Sequence, residues 1–193
     1  MSNSDAPFGL RPVSTLTGGD YKGKLTQVSL ASTYATSVFV GDPVKLAGSS
    51  DASGRFPSVE QCAAGDNIDY VIVGFEPDYS TESLNTLYGP ASTARTAWAV
   101  SVTDMIFEIQ EDSVGGALAA TDVGSVADII VAAGSTVTGV SGVELDSNTA
   151  ATGSSAQLTI LGLALGTDNE IGTNAVWRVR VNESNLTAGS NGV

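Results

Sequence analysis

The residues of this chain best placed to do chemistry are the carboxylates of "FEIQEDSVGG", where Glu108, Glu111 and Asp112 lie close together. Two acids facing each other across a cleft are the equipment of a glycoside hydrolase, one protonating the leaving oxygen and the other acting on the sugar. Sugar clefts also need stacking rings, and aromatics are only 6% of the residues here. The stretch reads more simply as a strand running out into an acidic turn. "GTDNEIG" gathers Asp168, Asn169 and Glu170, oxygen donors of the kind calcium takes. They lack the alternating spacing of a calcium loop, and Asp-Asn is ordinary turn chemistry. There is no histidine, which removes Ser-His-Asp and Cys-His triads, imidazole zinc sites and the commonest general base. Cys62 is the single cysteine, so no internal disulfide forms and the thiol is expected to be a small buried hydrophobe. Lys22, Lys24 and Lys45 are scattered, and no Gly-x-x-x-x-Gly-Lys phosphate loop occurs. Asn182 and Asn185 match the glycosylation pattern, expected to be chance in a chain with no secretory signal at its start. The expectation is a protein that is not an enzyme and holds no metal or cofactor.

Charge narrows the partners. The 193 residues carry 8 basic and 21 acidic side chains, a formal net charge of −13. Between Arg95 and Arg178 no basic residue occurs, while Asp104, Asp122, Asp128, Glu144 and Asp146 join the acids already named. Neutralising phosphates on nucleic acid, or an anionic membrane surface, needs clustered Lys and Arg. No nucleic acid and no membrane is expected as partner. The most apolar stretch, "LTILGLALG", is too short for a helical span.

The elements that must position these groups are strands. Period-2 alternation recurs: "DMIFEIQ" turns Met105, Phe107 and Ile109 inward and Ile106, Glu108 and Gln110 outward, and "AVWRVRVN" sets Trp177, Val179 and Val181 against Arg178 and Arg180. In "TAWAVSV", Trp98, Val100 and Val102 share one face, with Ala97, Ala99 and Ser101 on the other. "YVIVGF" and "QLTILGLAL" read as strands buried on both faces. "LTQVSL", "TSVFVGDPVKL", "RFPSVEQ", "ADIIV" and "VELD" complete eight to ten short strands, separated by Gly-Asp and Asp-Asn turns. The best helix candidate is a turn or two around "GGALAATDV". The spacing predicts an all-β fold, an antiparallel sandwich, jelly roll or barrel-like domain. Residues 76–95 and the tract from Val131 read as long loops suited to contact with neighbours.

The start, "MSNSDAPFGLRPVSTLTGG", is stiffened by Pro7 and Pro12. Residues 1–20 are read as an extended N-terminal arm, 21–186 as a single β domain and 187–193 as a flexible tail. Phe8, Leu10, Arg11 and Pro12 are then candidate contacts, Phe8 and Leu10 as apolar anchors and Arg11 as the partner of an acid. The competing reading folds the arm back on its own domain as an edge strand. Arg178 and Arg180 share one strand face and pair either with the chain's own acids or with those of another subunit.

The stretches "APFGLRPV", "VGDPV", "VIVGFEP", "FEIQEDSVGGALAATDVG" and "DNEIGTNAVWRVRVN", in this order over nearly the whole chain, resemble a family of tailed-phage virion proteins similar to head decoration, or cement, proteins. The resemblance implies a small β-rich homo-oligomer, a trimer or dimer, on the outer surface of the expanded capsid. Its partner there would be the major capsid protein, and its role to stabilise the shell. No active site comes with the resemblance. Other readings are a tail, neck or fibre component, or a carboxylate-based glycoside hydrolase using Glu108 and Glu111.

Overall fold

A computed structural model describes residues 3–77, 87–153 and 155–187. The chain is all-β. In order, its strands are β1 (Arg11–Thr15), β2 (Thr26–Leu30), β3 (Val38–Phe39), β4 (Pro43–Ser50) and β5 (Pro57–Gln61). Next come β6 (Tyr70–Phe75), β7 (Tyr88–Gly89), β8 (Arg95–Ser101), β9 (Met105–Gln110) and β10 (Val126–Ala127). The last are β11 (Ile129–Ile130), β12 (Glu144–Leu145), β13 (Leu158–Leu163) and β14 (Val176–Val181). Several expected strands divide into shorter pieces, because "TSVFVGDPVKL" turns at Gly41-Asp42 and "ADIIV" breaks at Asp128. The predicted helix near "GGALAATDV" is a single 3-10 turn, Ala120–Asp122.

The strands build two bodies. β2, β5, β4, β6 and β8 close into a barrel, and β1, β9, β14, β13 and β10 form an antiparallel sheet in that order. The barrel contains one parallel contact, β2 with β5 at Ser29 and Ser58, so the fold is not antiparallel throughout. Two ribbons, β3–β7 and β11–β12, lie beside them.

One barrel wall serves two cores. On β6 and β8, Val71 pairs with Val100 and Ile72 with Ala99. Ile72 and Ala99 fill the barrel with Val28, Val44 and Val59. Val71 and Val100 point the other way and pack with Phe107, Ile109, Leu158 and Trp177 of the sheet. Successive residues of a strand face opposite sides, so a wall shared by two cores must be apolar on both. This accounts for "YVIVGF". The two faces of "TAWAVSV" separate as the alternation groups them: Ala97 and Ala99 fill the barrel, Val100 and Val102 enter the core beneath the sheet, and Trp98 on that second face is only half-buried. "QLTILGLAL" differs. Leu158 and Ile160 are buried, but the alternate residues of β13, on the outer face of the sheet, are partly exposed.

Buried polar side chains join the bodies. Gln157, fully buried, donates to the Ala63 and Asp66 carbonyls of the barrel at 2.9 and 2.7 Å and accepts from the Ile129 amide at 3.1 Å. Asp69, also fully buried, accepts from the Ser184 hydroxyl, the Asn185 amide and the Leu46 amide at 2.7–2.9 Å. It thereby pins the segment after β14 to the barrel. Of the tail read at 187–193, residues 188–193 lie outside the described residues, as do 78–86 of the long 76–95 connection.

Candidate interaction surfaces

The first candidate, the arm, is mostly spent inside the molecule. Leu10 is 1% exposed and belongs to the core between barrel and sheet. β1 pairs antiparallel with β9, Arg11 opposite Glu108 and Pro12 opposite Phe107. Residues 3–15 are therefore an edge strand and its lead-in, not a free arm, and Leu10 is not an external anchor. Proline suits this place, since an edge strand has one side whose amides need no partner. Before β1, Gln110 clasps the backbone, accepting from the Ala6 amide and donating to the Ser4 carbonyl, each at 2.8 Å. Asn3 donates to the Glu170 and Thr173 carbonyls. At Gly9 (φ +70°) the chain crosses Gly41 (φ +96°) so closely that a side chain at either would strike the other strand's backbone. The Leu10 amide donates to the Gly41 carbonyl at 2.8 Å. Thus "APFGLRPV" and "VGDPV" meet at one crossing.

Phe8 and Arg11 remain partly accessible. The Arg11 guanidinium lies 4.7 Å from the Phe8 ring centroid and bonds Glu108 at 2.6 Å. Arg178 is in register with Glu108 from the other side. The outer face of the sheet thus carries a row Arg11–Glu108–Arg178, of which only the first two form the ion pair. Arg178 lies beside Gly162, where a β-bulge leaves room for its guanidinium. Arg180 is exposed opposite Thr159. Neither Arg178 nor Arg180 forms an ion pair among the described residues.

The carboxylate pair separates. Glu108 lies on the outer face of β9, whereas Glu111 is fully buried. It accepts from the Leu118 amide at 2.8 Å and the Ser113 hydroxyl at 3.2 Å. The Trp177 indole faces the same carboxylate without reaching full hydrogen-bond geometry. Burial raises the Glu111 pKa, those bonds opposing it. Asp112 takes the Ser147 hydroxyl and amide at 2.9 and 3.1 Å and so ties down a neighbouring loop. Glu108 and Glu111 thus share no cleft. Asn169 locks the β13–β14 turn, donating to the Ala164 and Val176 carbonyls and accepting from the Val176 amide. Among the described residues no group of three or more ligating side chains could hold a metal ion, and no helix is long and apolar enough to cross a membrane. Cys62 is buried, its thiol donating to the Asn67 carbonyl, and desolvation pushes its pKa up. A shallow depression of about 260 Å³ holds Asp51 and Glu76. Asp51 is engaged by the amides of Ser53, Arg55 and Phe56, and Glu76 by Gln27.

Large apolar side chains left in water include Leu16, Leu25, Val137, Leu165 and Ile171; Leu165, read from "QLTILGLAL" as part of a strand buried on both faces, lies past the end of β13 and is 86% exposed. They lie in turns and loops, where no periodicity marks a face. The architecture defines the protein as a two-bodied β-barrel protein. Compared with known proteins, the chain matches no family model, no curated protein and no solved structure.

Proposed function

We propose that the protein is a virion structural component, a decoration (cement) protein that binds the outside of an expanded phage head and bridges major capsid protein subunits. The observation that carries this reading is where the stretches resembling that family fall. "APFGLRPV" and "VGDPV" form the Gly9–Gly41 crossing, and the Gly41 amide continues into "VIVGFEP" by donating to the Ile72 carbonyl at 2.8 Å. "FEIQED" and "AVWRVRVN" are the paired β9 and β14. These residues are used for rigidity at junctions, as suits a protein whose work is mechanical. The net charge of −13 suits a surface remote from packaged DNA. Many equivalent sites on a symmetric shell would add avidity to modest single contacts. Phe8, Arg11, Arg178 and Arg180, on or beside the outer face of the sheet, are the contacts this reading keeps from the sequence. A homo-oligomer is the expected form.

The test is co-sedimentation with expanded and unexpanded shells of the parent phage, counting bound copies. Saturable binding to expanded shells alone, at a copy number set by a symmetry axis, is the expected result. Absence of binding to either shell would overturn it and point to a tail, neck or fibre component.

A further inference from the structure

The strands of the five-stranded sheet carry four charged side chains, Arg11, Glu108, Arg178 and Arg180. Three of the chain's eight basic residues thus fall on one sheet, with a single one of its 21 acidic residues. All four lie on the outer face. Trp177 and Val179, which alternate with the two arginines of β14, are fully buried, and the register sets Arg11 and Arg178 on either side of Glu108. The Glu108 side chain is 13% exposed and that of Arg11 59%, so what this row offers to water is mainly guanidinium. Arg178 stands opposite Gly162 and Arg180 opposite Thr159, and neither forms an ion pair among the described residues. In a chain of net charge −13 such a face attracts anionic groups that the rest of the surface repels.

We propose that the outer face of this sheet docks an acidic protein segment in extended form, whose carboxylates on alternate residues meet Arg178 and Arg180. Charge, spacing and shape select this occupant together. The charge is complementary. Arg178 and Arg180 are two residues apart on one strand face, about 7 Å, which is the repeat at which an extended segment turns its side chains to one side. Each guanidinium is a planar fork that takes a carboxylate by two parallel hydrogen bonds. Nucleic acid fits less well, because two arginines neutralise few phosphates and the surrounding acids repel a long polyanion. Glu108 acts as a resident competitor. It holds Arg11 at 2.6 Å and is in register with Arg178, so an incoming carboxylate meets its repulsion. The inference rests on the reading of these arginines as partner contacts and adds the chemistry of the partner.

The experiment is fluorescence anisotropy of a labelled peptide with three aspartates on alternate residues, titrated with the full chain in the absence of shells. Saturable binding that weakens as salt is added is the expected result. A peptide with its three aspartates at every third residue, which an extended chain turns to opposite sides, is expected to bind at least about tenfold more weakly. Arg178→Gln and Arg180→Gln should each cost a similar factor. Arg180→Lys should also weaken binding, since it keeps the charge and loses the fork. Arg55→Gln removes the same charge from the exposed turn between β4 and β5 and should leave binding unchanged. Glu108→Gln should tighten it, by freeing Arg11 and removing the repulsion beside Arg178. Circular dichroism and urea midpoints check that the variants fold. No binding, equal binding of the two peptides, or a loss in Arg55→Gln as large as in Arg180→Gln would overturn the proposal, as would equally tight binding of a DNA duplex. Shell binding without peptide binding would overturn this inference alone, and peptide binding by a protein that sediments with neither shell would overturn the decoration reading alone.

Discussion

Leu10 and Arg11 are neighbours with opposite fates, and the contrast is measurable. Leu10 is fully buried between barrel and sheet, so Leu10→Ala removes packing that the surroundings recover only in part, costing about 2–5 kcal/mol. Arg11 is 59% exposed and its ion pair with Glu108 lies at the surface, where such pairs contribute about 1 kcal/mol or less. Urea unfolding of Leu10→Ala should therefore show a large fall in midpoint, and Arg11→Ala a small one. The reverse order would mean that Leu10 does not occupy the core. Gly9 makes a sharper case. Its φ of +70° and its contact with Gly41 make Gly9→Ala strained twice, in its own backbone and against the crossing strand, so a loss above about 1 kcal/mol is expected.

At the scale of elements, the arm's first strand is integral to the sheet. Deleting residues 2–13 removes most of β1, the Gln110 clasp and Leu10, and uncovers the edge of β9, a surface prone to pair with other chains. The expected outcome is a destabilised, aggregation-prone protein, seen as a lowered thermal midpoint and light scattering on heating. A truncated chain as stable as the whole would mean that β1 contributes no packing. The strands were legible where one face alone is buried: period 2 places Met105, Phe107, Ile109, Trp177 and Val179 inward, but Gln110, expected to point outward, is buried beneath the segment that precedes β1, which it clasps. Burial of β6 on both sides was legible too, since a continuous apolar run demands it. What could not be read was which small residues face a filled barrel. Ala97 and Ala99 look less like core than Trp98, yet a closed five-stranded barrel has little interior room, so alanines fill it while the tryptophan lies outside. Leu10 was misread for a related reason. "PFGL" has no period, and only the crossing with Gly41, distant in sequence, directs Leu10 inward.

Over the whole molecule, buried and crowded carboxylates set an unusual dependence on pH. Asp42 is fully buried, accepting from the Phe39 amide and the Gln61 side chain, and desolvation raises its pKa from 3.8 to about 6. Glu144 is raised from 4.5 to about 7, by burial first and then by Asp5 and Asp112. Asp51, by contrast, is lowered to about 2 by the amides and hydroxyl around it. For Asp42 and Glu144 the folded state binds a proton more tightly than the unfolded chain. Between about pH 4 and 7 the folded protein therefore holds more protons, and stability falls as pH rises. Below about pH 4 the sign reverses as Asp51 is protonated. Greatest stability is thus expected near pH 4–5, more acidic than the usual range. Asp42 alone accounts for a loss of about 2 kcal/mol on going from pH 4 to pH 8. Salt separates the causes, because screening weakens repulsion among exposed acids but leaves desolvation of a buried one almost untouched. Urea midpoints measured across this range should decline toward pH 8, less steeply in Asp42→Asn. High salt should flatten only the smaller part that repulsion from Asp5 and Asp112 adds at Glu144. A profile that high salt levels completely would assign the whole effect to surface repulsion and leave Asp42 ionised without penalty.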